Sequence, residues 1–181
     1  MKPTLSHVGI YVRDERRMLA FYTDMFELTV TDIGVGALFP TRLTFLSNDP
    51  SQHHQLVLAS GRPADQPFST INQLSFKVET LSELRAMYQR ALTFGVEKLN
   101  PINHGNAISI YFDDPEGNKI EVYYETEWYL PQPHRGNIDF SASDRQILAD
   151  TEEMVRADPK MLTRADWEAR MREKMSDDHG G

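Results

Sequence analysis

The sequence predicts an α+β fold made of two tandem βαβββ modules and a C-terminal helical tail. The first observation is the order of the patterns, since a strand, an amphipathic helix and three strands occur twice within residues 5–125. The second is a constant offset between the copies, because Val8 and Leu74, and Met18 and Leu84, both stand 66 positions apart. An offset that persists through strand and helix indicates an internal duplication.

The first module is expected to span residues 1–60. His7 begins a strand that continues to Val12 through β-branched and apolar residues. Asp14 can cap a helix whose apolar residues are spaced three and four apart. Three strands are then predicted at 28–33, 42–46 and 54–58. Residues 61–70 contain glycine and prolines and are interpreted as a linker.

The second module is expected over residues 71–126. Its first strand, 71–78, leads to Thr80 and Glu83, which can form a capping box for a helix that ends near Gly95. The predicted apolar face of this helix consists of Leu84, Met87, Tyr88, Ala91 and Leu92. Three strands follow at 96–99, 107–112 and 119–124. The last two are predicted to form a hairpin, because the Asp-Pro-Glu-Gly turn combines a fixed proline φ with a glycine suited to positive φ.

Residues 127–181 are expected to form an extended arm and a helical tail. Ser143 and Gln146 can cap the first tail helix, and a second helix is predicted after Thr163. The polar end of the chain, from Ser176 onward, is expected to be disordered.

Composition argues against several classes of protein. The net charge of −8 argues against a general nucleic-acid or anionic-membrane binder, since such proteins normally present a basic face. The absence of cysteine excludes disulfides, thiolate metal sites and thiol nucleophiles. Charges interrupt every apolar stretch and no signal-peptide pattern is visible, so we expect no membrane span and a cytoplasmic location.

Four polar residues occupy repeat-related positions: His7 and Gln73 on the first strands, and Gln55 and Glu121 on the last strands. Because side chains alternate between the two faces of a strand, His7, Gln73 and Glu121 are predicted to lie opposite the apolar face that packs on the helix. A polar strand face can also be exposed to solvent without having a functional role. A charge such as Glu121 between apolar strand residues is harder to explain by structure alone, and it favours a shared site in a concavity.

The residues able to carry chemistry follow a recognisable order. They are His7 in SHVGIYV, His54 in HHQLVLA, then His104, Tyr111, Pro115, Gly117 and Glu121. Over residues 5–125 the chain resembles the vicinal oxygen chelate superfamily of glyoxalases, fosfomycin-modifying enzymes, epimerases and type I extradiol dioxygenases. It is most similar to the extradiol ring-cleaving dioxygenases. The resemblance implies a curved mixed sheet, or half-barrel, around a cavity.

The resemblance also implies a divalent metal held by His7, Gln73 and Glu121. Gln73 departs from the pattern, because extradiol dioxygenases have a second histidine ligand at this position. Glutamine can ligate through its carbonyl oxygen, as in some glyoxalases and epimerases, although a neutral oxygen is a weaker Fe(II) ligand than imidazole. Fe(II) is the expected metal, with Mn(II), Ni(II) or Zn(II) as alternatives, and Gln55 is a candidate fourth ligand.

The same resemblance implies catalytic roles for His54, His104 and Tyr111. His54 would exchange protons with the substrate, which suits an imidazole, although strand parity favours His53 as the alternative. Tyr111 could hydrogen-bond a substrate oxygen, and His104 could hold a second oxygen or orient Tyr111. Structural interpretations stay open, since His104 could brace its loop and Tyr111 could be a core residue like its counterpart Phe45.

These residues predict a metal-dependent extradiol-type dioxygenase that opens the ring of a catecholic aromatic compound. Two alternatives stay open: lyase or isomerase chemistry like that of glyoxalases and epimerases, and non-catalytic binding of a small molecule. The expected partners are an aromatic small molecule and O₂, with no nucleic acid and no membrane. Association into a homo-oligomer is left open.

Overall fold

The chain folds into two structural units, and each contains one strand, one helix and three strands in that order. The computed structural model describes residues 3–37, 40–66 and 69–177. The first unit comprises Met1–Asn72 with Asp113–Asn118, and the second comprises Gln73–Phe112 with Lys119–Gly181. The turn of the predicted hairpin therefore belongs to the first unit.

The first unit contains a four-stranded mixed sheet and one helix. Its elements are β1 (Val8–Val12), α1 (Glu15–Phe26), β2 (Thr29–Val35), β3 (Arg42–Ser47) and β4 (Leu56–Ser60). The strands lie in the order β1-β4-β3-β2. β1 is parallel to β4, whereas β3 is antiparallel to both β2 and β4.

Helix α1 forms where the sequence predicts it. The Asp14 side chain accepts a hydrogen bond of 3.0 Å from the Arg17 amide, which satisfies one free amide of the first turn. Its buried face packs against β4 and carries the predicted apolar residues Met18, Phe21, Tyr22 and Met25, together with Phe26. Burial of this face is the main source of stability for a helix of this length.

The second unit repeats the architecture. Its elements are β5 (Leu74–Val78), α2 (Leu81–Phe94), β6 (Glu97–Asn103), β7 (Ala107–Asp113) and β8 (Lys119–Glu125). The strand order is β5-β8-β7-β6, with β5 parallel to β8. The predicted fold class, two βαβββ modules followed by helices, is confirmed.

Helix α2 has the predicted start and a slightly different buried face. Thr80 and Glu83 form the complete capping box, and the helix ends at Gly95 with a φ of 65°. The buried positions begin one turn earlier than predicted, at Leu81. The prediction for Leu92 is wrong, because it lies 100° around the helix from the buried Ala91 and is 51% exposed.

The tail contains a two-stranded ribbon and two helices. Its elements are β9 (Trp128–Tyr129), α3 (Asp144–Arg156), β10 (Leu162–Thr163) and α4 (Arg164–Asp177), with β9 antiparallel to β10. The predicted disordered end is wrong for Ser176 and Asp177, which lie in α4, while 178–181 fall outside the described residues. Among the described helices, none has the length and apolar character needed to cross a membrane.

Five strands begin one to three residues later than the sequence predicts, namely β1, β2, β4, β5 and β6. Before β4, the Gln55 amide donates to the Leu46 carbonyl at 2.8 Å, and the chain reaches the sheet only after this loop contact. His7, His54 and Gln73 consequently lie in the short connections that lead into β1, β4 and β5. Strand parity therefore does not decide between His53 and His54.

The pairing register of the last strands corrects the predicted repeat. Gly9 pairs with Val57 in the first unit, and Ser75 pairs with Glu121 in the second. Gly9 and Ser75 are 66 positions apart, whereas Val57 and Glu121 are 64 positions apart. The prediction that Glu121 corresponds to Gln55 is therefore wrong by two residues. The turn before β8 is shorter than the loop before β4, which accounts for the difference.

Candidate functional site

Glu121 lies at the centre of the candidate site in the second unit. β8 is flanked by β5 and β7, and the Glu121 residue is only 9% exposed. The carboxylate accepts four hydrogen bonds from neighbouring side chains. Its donors are Ser109 Oγ at 2.9 Å and Tyr111 Oη at 2.5 Å to Oε1, and Gln73 Nε2 at 2.8 Å and Ser75 Oγ at 2.7 Å to Oε2.

All four donors to Glu121 are neutral groups. No ion pair joins this carboxylate to a cationic side chain within the described part of the chain. Removing an unpaired carboxylate from water is costly, so buried carboxylates are normally paired with a cation or bound to a metal. Neutral donors offset only part of that cost. This environment is suited to a cation.

Tyr111 connects Glu121 to His104. Its hydroxyl donates to Glu121, and the Nε2 atom of His104 lies 2.9 Å from the same hydroxyl oxygen. Burial raises the pKa of the Tyr111 hydroxyl, and the hydrogen bond to Glu121 and the negative charge of that carboxylate raise it further. Tyr111 therefore stays protonated at neutral pH and acts as a donor.

The hydrogen positions around His104 follow from its partners. Its Nδ1 atom lies 2.7 Å from the backbone carbonyl of His134, and a carbonyl can only accept, so Nδ1 carries hydrogen. In a neutral ring Nε2 is then an acceptor, and it competes with Glu121 for the single hydroxyl hydrogen of Tyr111. A proton added to Nε2 would satisfy both contacts. With a neutral His104 ring, one of the two contacts of the Tyr111 hydroxyl therefore lacks a hydrogen.

These side chains open onto a cavity of about 330 Å³. Its lining consists of Ser75, His104, Asn106, Ala107, Tyr111, Glu121, Tyr123, Glu125 and Gln132. The volume is at the lower end of the range of small-molecule sites, and few residues of the lining are apolar. A compact ligand with several oxygen atoms suits this cavity.

The second carboxylate of the cavity, Glu125, differs from Glu121. It forms ion pairs of 2.8 Å with both Lys77 and Arg164. Burial raises the pKa of the Glu125 carboxyl, but the hydrogen bonds from Lys77 and Arg164 outweigh this effect, and the net pKa is lowered. Glu125 is thus neutralised by protein cations, which leaves Glu121 as the carboxylate available to a bound cation.

Gln73 directs its amide nitrogen toward Glu121. Nε2 donates to Glu121 at 2.8 Å and to Ser75 Oγ at 3.0 Å. A metal ligand would be Oε1, and a half-turn of the amide group exchanges the two atoms. With that rotation, Gln73 and Glu121 would supply one amide oxygen and one carboxylate to a divalent ion.

A cluster of three histidines forms in the first unit. The ring centroids of His7 and His54 are 4.2 Å apart, and the Nδ1 atoms of His53 and His54 are 2.8 Å apart. Burial lowers the pKa of His54, and repulsion from His7 and His53 lowers it further. His54 therefore favours its neutral form, which can accept a proton. The exposed His53 lies 3.9 Å from the Asp32 carboxylate instead.

The structure brings the predicted site residues together in two groups. The group in the second unit comprises Gln73, His104, Tyr111 and Glu121. The group in the first unit comprises His7 and His54. Gln55 belongs to neither group, since its Oε1 atom accepts a 3.0 Å hydrogen bond from the Asn48 amide and so holds the loop before β4.

No cluster of three or more His, Cys, Asp and Glu side chains that could hold a metal ion occurs in residues 3–37, 40–66 and 69–177. The predicted ligand set differs from such a cluster because it includes the amide of Gln73.

Three contributors to the site escaped the sequence analysis. Ser109 lies two residues before Tyr111 on β7, so strand alternation could have placed it on the same face. Ser75 likewise lies two residues after Gln73. Gln132 belongs to the irregular tail, where no periodic signal exists.

The family model that matches this chain is the Glyoxalase/Bleomycin resistance protein/Dioxygenase superfamily, over residues 4–122. The chain belongs to this superfamily. The match covers both βαβββ modules almost to the end of β8, and the residues that follow it form the tail.

Two curated relatives come from Rhodococcus globerulus. Biphenyl-2,3-diol 1,2-dioxygenase 2 is 27% identical over 124 residues, and biphenyl-2,3-diol 1,2-dioxygenase 3 is 26% identical over 126 residues. Each match covers 66% of this chain and 62% of the relative. The chain thus aligns with only about three-fifths of the length of these enzymes.

Solved structures share the fold at lower identity. A mutant of the fosfomycin resistance protein FosX from Listeria monocytogenes, complexed with Mn(II) and 1S,2S-dihydroxypropylphosphonic acid, has a TM-score of 0.56 and 22% identity. It is matched over 70% of this chain and 95% of FosX. A glyoxylase/bleomycin resistance protein/dioxygenase domain from Frankia sp. has a TM-score of 0.58 and 20% identity, over 70% and 95% of the two chains.

Proposed function

We propose that this chain is a metal-dependent extradiol-type dioxygenase that opens the ring of a catecholic aromatic compound with O₂. The observation that carries the proposal is Glu121, a buried carboxylate whose donors among the described residues are neutral, beside the hydrogen-bonded pair of Tyr111 and His104. The two Rhodococcus globerulus relatives support the substrate class, since both are named as dioxygenases of biphenyl-2,3-diol, a catechol.

The proposed metal ligands are Glu121 and Gln73, with His7 as the nitrogen ligand that the family resemblance implies. The carboxylate and the amide suit a divalent ion, because Glu121 lacks a cationic partner among the described residues and Gln73 can turn its oxygen toward a metal. When bound, Fe(II) would supply Lewis-acid chemistry and the ability to react with O₂. Mn(II), Ni(II) and Zn(II) are the alternatives, since an amide oxygen selects Fe(II) less strongly than imidazole does.

The chain's own residues would manage the substrate protons. A catechol must lose a hydroxyl proton before ring opening, and the Nε2 atom of His104, next to Tyr111, is placed to take one. Tyr111 would then donate to a substrate oxygen or to Glu121. His54, kept neutral by burial and by its histidine neighbours, is the proposed second base.

Gln73 favours a second candidate function. Glutamine ligands occur in the glyoxalases and epimerases that the chain resembles, so a metal-dependent lyase or isomerase reaction is the alternative. The two functions differ in their need for oxygen. Ring cleavage consumes one O₂ for each catechol, whereas lyase or isomerase chemistry proceeds equally under argon.

The test is an aerobic assay of protein loaded with Fe(II) under argon, using a panel of catechols that includes 2,3-dihydroxybiphenyl. We expect a yellow ring-opened product and matching O₂ uptake. The Glu121→Gln variant should be inactive, and Glu127→Gln, an exposed carboxylate change, should be active. Absence of product with every catechol in metal-loaded protein would contradict the proposal.

A further inference from the structure

The tail segment, residues 130–136, packs on the loop that carries His104. This segment lies outside residues 4–122, the part matched by the superfamily model. Gly136 and Asn103 exchange two backbone hydrogen bonds, of 3.0 Å and 2.7 Å, directly beside His104. The loop is therefore joined to the tail by backbone pairing, as in a short antiparallel ladder.

The same segment also packs closely against Gly105, on the other side of His104. Leu130 is fully buried, and a Cβ atom at Gly105 would come within 2.7 Å of its Cδ1 atom. Gly105 also has a φ of 81°, a conformation that favours glycine. The loop and the tail segment thus fit together only because Gly105 has no side chain.

Gln132 clamps the segment to the loop with both ends of its amide. Nε2 donates to the His104 carbonyl at 2.9 Å and to Asn106 Oδ1 at 3.0 Å. Oε1 accepts a 3.0 Å hydrogen bond from the His134 amide. One side chain therefore holds the backbone of both His104 and His134.

The clamp determines what the His104 ring can do. It brings the His134 carbonyl within 2.7 Å of Nδ1, and the hydrogen bond at one ring nitrogen decides which nitrogen carries the proton. Nδ1 must be a donor, so in the neutral ring Nε2 is the nitrogen without hydrogen, and it lies 2.9 Å from the Tyr111 hydroxyl oxygen. Without the carbonyl, either tautomer and a rotated ring would become available.

We infer that the tail segment is a positioning element of the site: Gln132 and the His134 carbonyl hold His104 as the Nδ1–H tautomer with Nε2 aimed at Tyr111. The inference rests on the proposed function where it assigns the aligned Nε2 to the reaction. Gln132 is a positioning residue, because it acts on the substrate proton through His104.

The test compares Gln132→Met with wild type. Methionine keeps a similar length and removes every amide contact of the clamp. The matched control is Gln146→Met on α3, where the exposed amide contacts only Asp150 in the described structure. Thermal unfolding of each protein establishes that it is folded.

Two readouts are needed. Nitrogen-15 spectra of the imidazole groups, recorded in alkaline buffer, should show the Nδ1–H tautomer for His104 in wild type and in the control, and a mixture in Gln132→Met. With a catechol substrate, Gln132→Met should lose about tenfold or more in kcat with KM changed by less than about twofold, because orientation is lost while binding is kept.

An Nε2–H tautomer in wild type, or a Gln132→Met protein equal to wild type in both tautomer and kcat, would overturn the inference. If wild type cleaves no catechol, the proposed function fails and the tautomer comparison alone decides the positioning. If Gln132→Met does not fold, Gln132→Glu replaces it, since a carboxylate of the same size cannot donate to the His104 carbonyl or to Asn106 Oδ1. It should shift both readouts in the same direction, and no shift in a folded Gln132→Glu would also overturn the inference.

Discussion

At the scale of single residues, the two carboxylates of the cavity are distinguished by their donors. Glu125 forms ion pairs with Lys77 and Arg164, whereas the donors to Glu121 among the described residues are neutral groups. Of these donors, Tyr111 also contacts His104. This difference is the basis for proposing Glu121 as the metal ligand and Tyr111 as a hydrogen-bond donor to the substrate.

Replacement of Tyr111 by phenylalanine should separate catalysis from stability. Phenylalanine has the same ring without the hydroxyl group, so it is expected to fit at this position. Loss of the hydrogen bond to the Glu121 carboxylate should lower the free energy of unfolding by about 2 kcal/mol, as is usual for a hydrogen bond to a charged group. The kcat for a catechol should fall by about 10² or more, the usual contribution of a proton-transfer group. The control Tyr88→Phe, on α2, should retain activity, and an active Tyr111→Phe would exclude the proposed proton path.

Asp114 gives a prediction about pH. This buried carboxylate accepts hydrogen bonds from Tyr22 and Asn118, yet burial raises its pKa above 3.8. A raised pKa in the folded state stabilises the fold below about pH 4, and this contribution is lost as pH rises through the folded-state value. The unfolding free energy of wild type minus that of Asp114→Asn should therefore decrease from about pH 4 toward neutrality in urea titrations.

Asp139 provides a control for which the pH dependence of stability has the opposite sign. Hydrogen bonds from the backbone and hydroxyl of Ser141 lower its pKa. The stability difference between wild type and Asp139→Asn should therefore decrease as pH falls below about 4. Equal slopes for the Asp114 and Asp139 variants would contradict the assignment.

At the scale of elements, the helix caps show how local sequence determines structure. The Thr80 side chain accepts from the Glu83 amide at 3.1 Å, while the Glu83 carboxylate accepts from the Thr80 amide at 2.9 Å. Thr80→Ala should lower the free energy of unfolding by about 1 kcal/mol. Thr93→Ala in the exposed part of α2 should be neutral or slightly stabilising. Denaturant unfolding measures both, and equal effects would show that capping is not the cause.

Local signals of this kind are sufficient to predict the helices but not the pairing of the strands. Caps and apolar spacing predict α1, and most of α2, because these depend on neighbours within one or two turns. The register of β8 escapes such signals, because a shift of two residues leaves every side chain on the same face. The pairing of Ser75 with Glu121 is set by the length of the turn before β8, which alternation does not reveal.

The contacts that the tail makes with the site could not be predicted from the sequence either. Gln132 and the backbone carbonyl of His134 act from an irregular segment, and a backbone group carries no sequence signal. By contrast, Glu121 is evident because a charge between apolar strand residues requires an explanation. A charge within an apolar strand can thus be recognised from the sequence, whereas a backbone contact from the irregular tail cannot.

At the scale of the whole molecule, the family domain and the tail contribute differently. The two βαβββ modules supply the proposed metal ligands and the bases, within the residues matched by the superfamily model. The tail supplies Gln132 to the cavity and Arg164 to Glu125. The proposed enzyme is therefore the superfamily domain completed by a segment that the superfamily model does not include.

The most direct test of this account is Fe(II) binding measured by anaerobic titration calorimetry on the full chain. Wild type should bind one Fe(II), Gln73→His should bind it more tightly, and Glu121→Gln should weaken binding by about a hundredfold or more. Glu127→Gln should match wild type. Fe(II) affinity that is the same in Glu121→Gln as in wild type would contradict the central claim that Glu121 holds the metal.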